Sequence, residues 1–246
     1  MPKKAKTKVV KAAASGKAKI AKPKANKPVK SKTVKVPKSK TVKALKPKAK
    51  KALKALKPAV EESAQILSSE TVFDGLVFQV VRDRLIEPGG KEATRDIIHH
   101  NGSAVILAVD SSKNKKDPWI VMERQYRHAA SRFLWELPAG KLEPGEDPIE
   151  GAQRELAEET GYRAKTWKPL VEYYASPGFL GEAMKVFVAE GLSAGDTHWD
   201  ADEQIEFCLV KLSEVLKLIE KGAILDGKTL SAVLLYARKL AAKRSR

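Results

Sequence analysis

From Pro58 onward, apolar residues occur in short runs and alternations that predict β-strands. Two β-rich runs flank Gly75, and Pro88-Gly89-Gly90 predicts a turn before a strand in "ATRDIIHH". The continuous apolar run "SAVILAV" at 103–109 predicts a strand that is buried on both faces. Further extended segments are predicted in "PWIVMERQYR", at 133–137, and in "WKPLVEYYA", "AMKVFVAEG" and "EQIEFCLVKL".

Three segments predict helices. Asp147, Pro148 and Glu150 supply an N-cap, a first-turn proline and a capping-box acid, and Gly161 is a natural stop, so a helix is expected at about 148–160. Nearer the C-terminus, we expect Ser213 to cap "EVLKLIEKG", and "TLSAVLLYARKLAAK" carries an apolar stripe. Strands on both sides of one central helix, with helices at the end, predict a mixed α/β sandwich.

Charge divides the chain into two parts. Residues 1–58 contain 22 Lys and no Arg, Asp or Glu, which leaves 25 basic and 30 acidic residues for 59–246. The first part is built from Lys, Ala, Val and Pro without an aromatic residue, so it cannot bury enough apolar surface to offset the entropy of ordering. We therefore predict a disordered basic tail at 1–58 and one folded domain at 59–246.

The remaining composition excludes several classes of protein. A single cysteine, Cys208, rules out an internal disulfide framework and favours a reducing compartment. No apolar run approaches the roughly 20 residues that a membrane span needs, and the N-terminus lacks the apolar core of a secretory signal. We expect a cytoplasmic protein, with nucleoid association as a further option.

The predicted central helix concentrates negative charge. The segment 140–162 contains seven carboxylates, and Glu155, Glu158 and Glu159 are three or four residues apart, so they lie on one helical face. Such a cluster is either a solvated acidic face or a set of hard oxygen ligands for a cation such as Mg²⁺.

The spacing around this helix distinguishes the two interpretations. Gly140, Glu146 and the run Arg154-Glu155-Leu156-Ala157-Glu158-Glu159-Thr160-Gly161-Tyr162 resemble the Nudix box, Gly-x5-Glu-x7-Arg-Glu-U-x-Glu-Glu-x-Gly-U, at every fixed position. The resemblance implies an α/β/α sandwich with a mixed sheet and a metal-dependent hydrolase of nucleoside diphosphates linked to another moiety. The bound ion would be Mg²⁺, or alternatively Mn²⁺.

The family pattern implies a role for each matching residue. Glu155, Glu158, Glu159 and the carbonyl of Ala139 would bind the metal, with Glu159 also catalytic. Arg154 and Glu146 would brace the box as a charge pair. Gly140 would let the backbone turn, and Gly161 would end the helix.

Flanking segments are similar to the ADP-ribose pyrophosphatase branch: "ELPAGKLEPGE", "RQYR" at 124–127 and "SPGFLGE" at 176–182, with Pro177 lying 16 residues after Gly161. In that branch, Glu182 on a mobile loop would orient or deprotonate the attacking water. Arg127 would contact the phosphates, Glu136 the adenine side, and Pro177 the substrate. The products would be AMP and ribose 5-phosphate. An ordinary loop acid at Glu182 and a surface arginine at Arg127 remain alternatives.

Other functions and partners also remain open. The enzyme could act on a dinucleoside polyphosphate, a GDP-sugar or an oxidised nucleotide, or the fold could serve a nucleic-acid-associated protein as a ligand sensor.

The branch is similar to homodimers in which N-terminal strands pack across the two subunits. Residues 59–100 would form these strands. The tail resembles Lys-rich histone-like segments and would bind DNA or RNA without base specificity; an anionic membrane surface or a spacer role are its alternatives. The four histidines, at 99, 100, 128 and 198, lack metal-ligand spacing and are assigned no chemistry.

Overall fold

The structure is a computed structural model that describes residues 63–76, 78–195 and 205–244. The predicted tail at 1–58 lies outside these residues, so its disorder and its partners stay predictions. The strands are β1 (Gln65–Asp74), β2 (Gln79–Ile86), β3 (Glu92–Ile98), β4 (Ser103–Asp110), β5 (Trp119–Arg127), β6 (Arg132–Glu136), β7 (Ala139–Lys141), β8 (Arg163–Tyr174), β9 (Ala183–Ser193) and β10 (Glu206–Lys211), and the helices are α1 (Pro148–Thr160), α2 (Leu212–Glu220) and α3 (Gly227–Arg244).

The main sheet has seven strands in the order β10-β5-β4-β9-β8, with β6 paired to β5 and β7 paired to β4. β4 and β9 run parallel, whereas the other pairings in this sheet are antiparallel. The sheet is therefore mixed, as predicted.

The central strand β4 connects the two halves of the core. Ala104, Ile106 and Ala108 pack with α1 on one face, while Val105, Leu107 and Val109 pack with α2 and α3 on the other. All six side chains are fully buried, which explains why the run is apolar at every position rather than at alternate ones. The three layers confirm the predicted α/β/α arrangement.

A second sheet, in the order β1-β2-β3, is antiparallel throughout and lies N-terminal to the main sheet. Ile98 at its end donates a backbone hydrogen bond to Phe179 and accepts one from Gly181, which ties β3 to the loop before β9. Every residue of the edge strand β1 is exposed. The predicted strands on either side of Gly75 are thus confirmed.

The helix predictions are confirmed with two corrections. The Asp147 side chain caps α1 by accepting from the backbone of residues 149 and 150, and Gly161 ends the helix at φ 70°. The prediction that Ser213 caps α2 is wrong, because Ser213 lies within the helix and donates from its N and Oγ to Asp117 in the β4–β5 loop. α3 begins earlier than predicted, since Asp226 accepts a hydrogen bond from the first turn. No helix in the described part of the chain is long and apolar enough to cross a membrane.

Candidate active site

The α1 helix lies against β7, so two of its acids meet the backbone of that short strand. A Cβ atom on Gly140 would lie 1.8 Å from the Glu155 Cδ atom, so any side chain at this position would require the Glu155 carboxylate to move. One turn later, Glu159 Oε2 accepts a 3.0 Å hydrogen bond from the Ala139 N–H. Glu158 is more open, with 42% of its side chain exposed. The three acids therefore share a helix face but differ in their access to solvent.

Arg154 joins the two ends of the motif. Its Nε and Nη2 atoms donate to the two oxygens of Glu146 at 3.1 and 3.2 Å, and Nη1 donates to Glu155 at 2.8 Å and to Glu158 at 3.0 Å. The hydrogen bonds to Glu146 raise the pKa of Arg154 against the opposing effect of burial, and those to Glu155 and Glu158 add to the rise. The pKa of Glu146 is lowered, first by Arg154 and then by the backbone N–H of Glu143. Arg154 thus contacts two of the proposed metal ligands in addition to its predicted partner.

Glu123 is a site residue that the sequence analysis missed. It lies on β5, is 3% exposed, and its Oε1 atom has no hydrogen-bond partner among the described residues. Burial raises the pKa of Glu123 to about 8, against the opposing charge of Lys228 and a hydrogen bond with Glu159. The available signal was one acid within the apolar run "WIVME", which is an unusual place for a carboxylate.

Glu136, one of the predicted substrate contacts, lies beneath two cations. Arg127 donates from Nε and Nη2 to its two oxygens, both at 2.9 Å, and the Lys228 ammonium contacts Oε2. Burial would raise the pKa of Glu136, but the hydrogen bonds from Arg127 and the charge of Lys228 outweigh it, and the pKa is lowered. Both oxygens of Glu136 are engaged in this structure, so its contact with adenine stays a prediction.

Glu182, the predicted base, lies near the N-terminal end of β4, which pairs with β7 in the motif. Ser103 Oγ donates a 2.7 Å hydrogen bond to Glu182 Oε1, and Ser103 pairs with Lys141, the residue after Gly140. His100 Nδ1 accepts from the backbone of residue 102, so its Nε2 atom carries the proton in the neutral ring. This Nε2 lies 4.0 Å from Glu182 Oε1. His100, which the sequence analysis assigned no chemistry, therefore faces the predicted base.

The loop that bears Glu182 is joined to β3 by backbone hydrogen bonds, and its predicted mobility stays a prediction. Phe179 and Gly181 exchange backbone hydrogen bonds with Ile98 of β3, and a further hydrogen bond joins the Ala175 N–H to the Glu182 carbonyl. Pro177 lines a cavity of about 350 Å³ together with Tyr174, Phe179 and Leu180. Closure of this loop over a ligand would have to move β3 with it.

The proposed metal ligands are not gathered around a common point in this structure. Within the described residues, no group of three or more Asp, Glu, His or Cys side chains is placed so that it could hold a metal ion as it stands, and the Arg154 guanidinium pairs with Glu155 and Glu158. The proposed donors are carboxylate oxygens and a backbone carbonyl, the hard ligands that Mg²⁺ prefers, and the buried Oε1 atom of Glu123 has no hydrogen-bond partner among these residues. The donor set therefore fits a divalent cation in its chemistry, and the arrangement of these residues around a metal stays a prediction.

A larger cavity, of about 820 Å³, lies apart from these residues. It is bounded by the C-terminal half of α3, by β8 and β9, and by lysines that include Lys115, Lys168 and Lys239. None of the residues proposed for catalysis or metal binding lines this cavity.

The fold and the carboxylate-lined motif define a class of hydrolase, and comparison with known proteins agrees. The model of the NUDIX domain matches residues 99–233, and the chain belongs to the Nudix family. It is 40% identical over 170 residues to an ADP-ribose pyrophosphatase of Bacillus subtilis, covering 68% of this chain and 89% of that protein. It is 38% identical over 169 residues to a methanol dehydrogenase activator of Bacillus methanolicus, with 68% and 89% covered.

A solved structure supports the fold. A crystal structure of an ADP compounds hydrolase superposes with a TM-score of 0.62 at 22% identity, and the alignment covers 74% of this chain and 96% of that one. The family enzymes depend on divalent metal ions, and the family assignment makes this chain a pyrophosphohydrolase of the same kind.

Proposed function

We propose that this protein hydrolyses the pyrophosphate bond of ADP-ribose or a related ADP-sugar, releasing AMP and ribose 5-phosphate or the corresponding sugar phosphate. The observation that carries the proposal is the convergence of Glu155 and Glu159 on β7, at the same end of β4 as Glu182. The similarity to an ADP-ribose pyrophosphatase over two thirds of the chain supports this choice of substrate.

Mg²⁺, or Mn²⁺ in its place, would be held by Glu155, Glu158, Glu159 and the carbonyl of Ala139. Once bound, such an ion would polarise the diphosphate and stabilise the negative charge that develops during hydrolysis. For Glu155 and Glu158 to turn toward the ion, they would exchange their contacts with Arg154, which keeps Glu146 as its partner.

The chain's own residues would orient water and substrate. Glu182, held by Ser103, would accept a proton from the attacking water as a general base. The planar guanidinium of Arg127 would turn from Glu136 to two phosphate oxygens, a geometry to which its paired N–H groups are suited. The cavity that contains Pro177, with aromatic rings from Tyr174 and Phe179, offers apolar surface for the adenosine half.

Hydrolysis of a substrate panel tests this proposal. ADP-ribose, an ADP-sugar, GDP-mannose, a dinucleoside polyphosphate and an oxidised nucleotide would be assayed with Mg²⁺, with products identified as the two monophosphates. We expect ADP-ribose to give the highest kcat/KM, and Glu159→Gln to lose the activity. The catalytic assignment fails if no substrate turns over, or if wild type and the Glu159 variant are indistinguishable.

A second candidate function follows from the other relative. A protein named as an activator of methanol dehydrogenase is nearly as similar to this chain as the pyrophosphatase is, so hydrolysis of a different nucleotide in service of a partner enzyme is the alternative. A preference for a dinucleotide over ADP-ribose in the same panel would favour it. A ligand-sensing role for a nucleic-acid-associated protein is favoured instead if substrates bind without turnover.

The assembly and the tail form a separate part of the proposal. On the exposed strand β1, Ile66, Leu67, Val72 and Phe73 are each more than 40% exposed, and we propose that a second copy of the chain covers this apolar edge to give a homodimer. Residues 1–58, with 22 Lys and no acid, would bind DNA or RNA through phosphates. A dimeric enzyme joined to a tail that binds nucleic acid fits a cytoplasmic protein with nucleoid association.

A further inference from the structure

Glu136 has two cationic partners that differ in their access to solvent. The Arg127 side chain is 41% exposed, whereas the Lys228 side chain, which contacts the same carboxylate, is only 10% exposed. Glu136 itself is 2% exposed. One partner can therefore turn to the surface, while the other remains inside.

Lys228 is fixed in place from several directions. Its Nζ atom also lies 3.2 Å from Asp226 Oδ1. Asp226 Oδ2 in turn accepts hydrogen bonds from the N–H and the hydroxyl of Thr229, at 2.9 and 2.6 Å. The same Thr229 hydroxyl accepts a 2.8 Å hydrogen bond from the Leu137 N–H, directly after Glu136. The first turn of α3 is thereby pinned to the strand end that carries Glu136.

We propose that Lys228 is a positioning residue that frees Arg127 to bind the diphosphate of the substrate. The inference rests on the proposed function for the role of Arg127. Moving the Arg127 guanidinium away from Glu136 would leave a buried carboxylate without a counter-ion, which is costly in free energy. Because the Lys228 ammonium stays on Oε2, the carboxylate remains compensated and Arg127 can exchange partners.

Direct contact of Lys228 with a phosphate is the competing role, and the geometry disfavours it. The ammonium lies between the carboxylates of Glu136 and Asp226 and has little exposed surface to offer a ligand. If Lys228 bound a phosphate directly, it would strengthen substrate binding whether or not Glu136 is charged, and it would lose this effect only with a substrate that lacks the phosphate. If Lys228 is a positioning residue, its effect on substrate affinity disappears when Glu136 is made neutral, and this difference can be measured.

Steady-state kinetics with ADP-ribose test the proposal through a double-mutant cycle. We expect Lys228→Met to raise KM about tenfold or more, since the release of Arg127 becomes unfavourable, with kcat changed by less than about threefold. In a Glu136→Gln background, the same substitution should change KM by less than about twofold, because no buried charge is left to compensate. Lys228→Arg should retain most of the affinity, and Lys217→Met, at an exposed lysine paired with Glu214, is the matched control that should leave KM unchanged. An unchanged KM in Lys228→Met, a loss confined to kcat, or an equal effect in both backgrounds would overturn the proposal.

Urea unfolding of the same variants tests the shared carboxylate without any substrate. Arg127→Met and Lys228→Met together should lower the free energy of unfolding by more than the sum of the single changes, since only the double variant leaves Glu136 with neither cation. Adding Glu136→Gln to the double variant should remove this excess loss in the free energy of unfolding. Additive losses would overturn the inference even if ADP-ribose is hydrolysed. A non-additive cycle in a protein that hydrolyses no ADP-sugar would instead support the pairing and refute the proposed function.

Discussion

Ser103 and Glu182, 79 positions apart in the chain, are joined by a 2.7 Å hydrogen bond from the serine Oγ to the glutamate Oε1. Ser103 is the first residue of β4 and pairs with both β7 and β9, so it lies where the motif and the loop of the predicted base meet. A hydroxyl in this position helps to hold the carboxylate in one orientation.

This relationship predicts graded effects on catalysis. Glu182→Gln should lower kcat by about a hundredfold or more, as expected for loss of a general base. Ser103→Ala, which keeps the base but removes a hydrogen bond to its charged form, should lower kcat by about tenfold or less. Both would be measured at saturating ADP-ribose, with melting temperature as a control for folding. If Ser103→Ala is as damaging as Glu182→Gln at an unchanged melting temperature, the base lies elsewhere.

A second prediction concerns the glycine at the start of the motif. In Gly140→Ala, the new methyl group would overlap the Glu155 carboxylate, which is the far end of a flexible side chain and can swing aside. We therefore expect activity to fall by about tenfold to a hundredfold through loss of a metal ligand, with little change in melting temperature. Gly227→Ala, where no atom lies within 4 Å of the added methyl group, is the matched control and should retain activity. A large fall in melting temperature in Gly140→Ala would show that the position is structural.

The sequence predicts those parts of the site that local geometry determines. Glu155, Glu158 and Glu159 share a face because a helix places residues three and four apart together, and the cap at Asp147 and the stop at Gly161 set the helix bounds. The spacing of the motif therefore predicts the bounds of α1 and the placement of its acids almost completely.

The residues that were missed depend on contacts that are distant in sequence. Lys228 reaches Glu136 across 92 positions, and Glu123 is placed beside Glu136 by the pairing of β5 with β6 and beside Glu159 by the packing of α1. The Asp117 cap of α2 likewise comes from a loop 96 positions away, which is why Ser213 was wrongly assigned that role. Apolar periodicity predicts that these strands and helices exist, but it carries no information on which polar side chains their packing brings together.

The buried acid Glu123 predicts a pH dependence of stability. Its pKa is raised from 4.5 to about 8 in the folded protein by burial, so between these pH values the folded state keeps a proton that the unfolded state has lost. Its contribution to stability is therefore full below about pH 4.5 and is lost as pH rises toward 8. With EDTA present, wild type should lose melting temperature relative to Glu123→Gln between pH 5.5 and 8.5. Parallel curves for the two proteins would show that Glu123 does not titrate in this range.

The exposed edge strand predicts a dimer that a single charge can weaken. Phe73 is 52% exposed on β1 and contacts the ring of Phe78. Placing a charge there, in Phe73→Glu, should shift sedimentation from dimer to monomer, because the apolar surface would no longer be favourable to bury. Glu70→Gln on the same strand serves as the control for a surface change without a new charge. A wild-type protein that sediments as a monomer at micromolar concentration would contradict the assignment.

The division of charge predicts that affinity for nucleic acid belongs to one part of the chain. Residues 59–246 carry 25 basic and 30 acidic residues, so this part is expected to be repelled by DNA, whereas 1–58 carries 22 Lys and no acid. The full chain should bind duplexes of unrelated sequence equally, with log K falling linearly as log salt rises, by roughly 0.9 for each phosphate neutralised. Fluorescence anisotropy between 50 and 200 mM salt would measure the slope for the full chain and for 59–246 alone. Equal binding by both proteins would remove the tail from this role, and a strong preference for one sequence would require base contacts that phosphate-binding lysines do not supply.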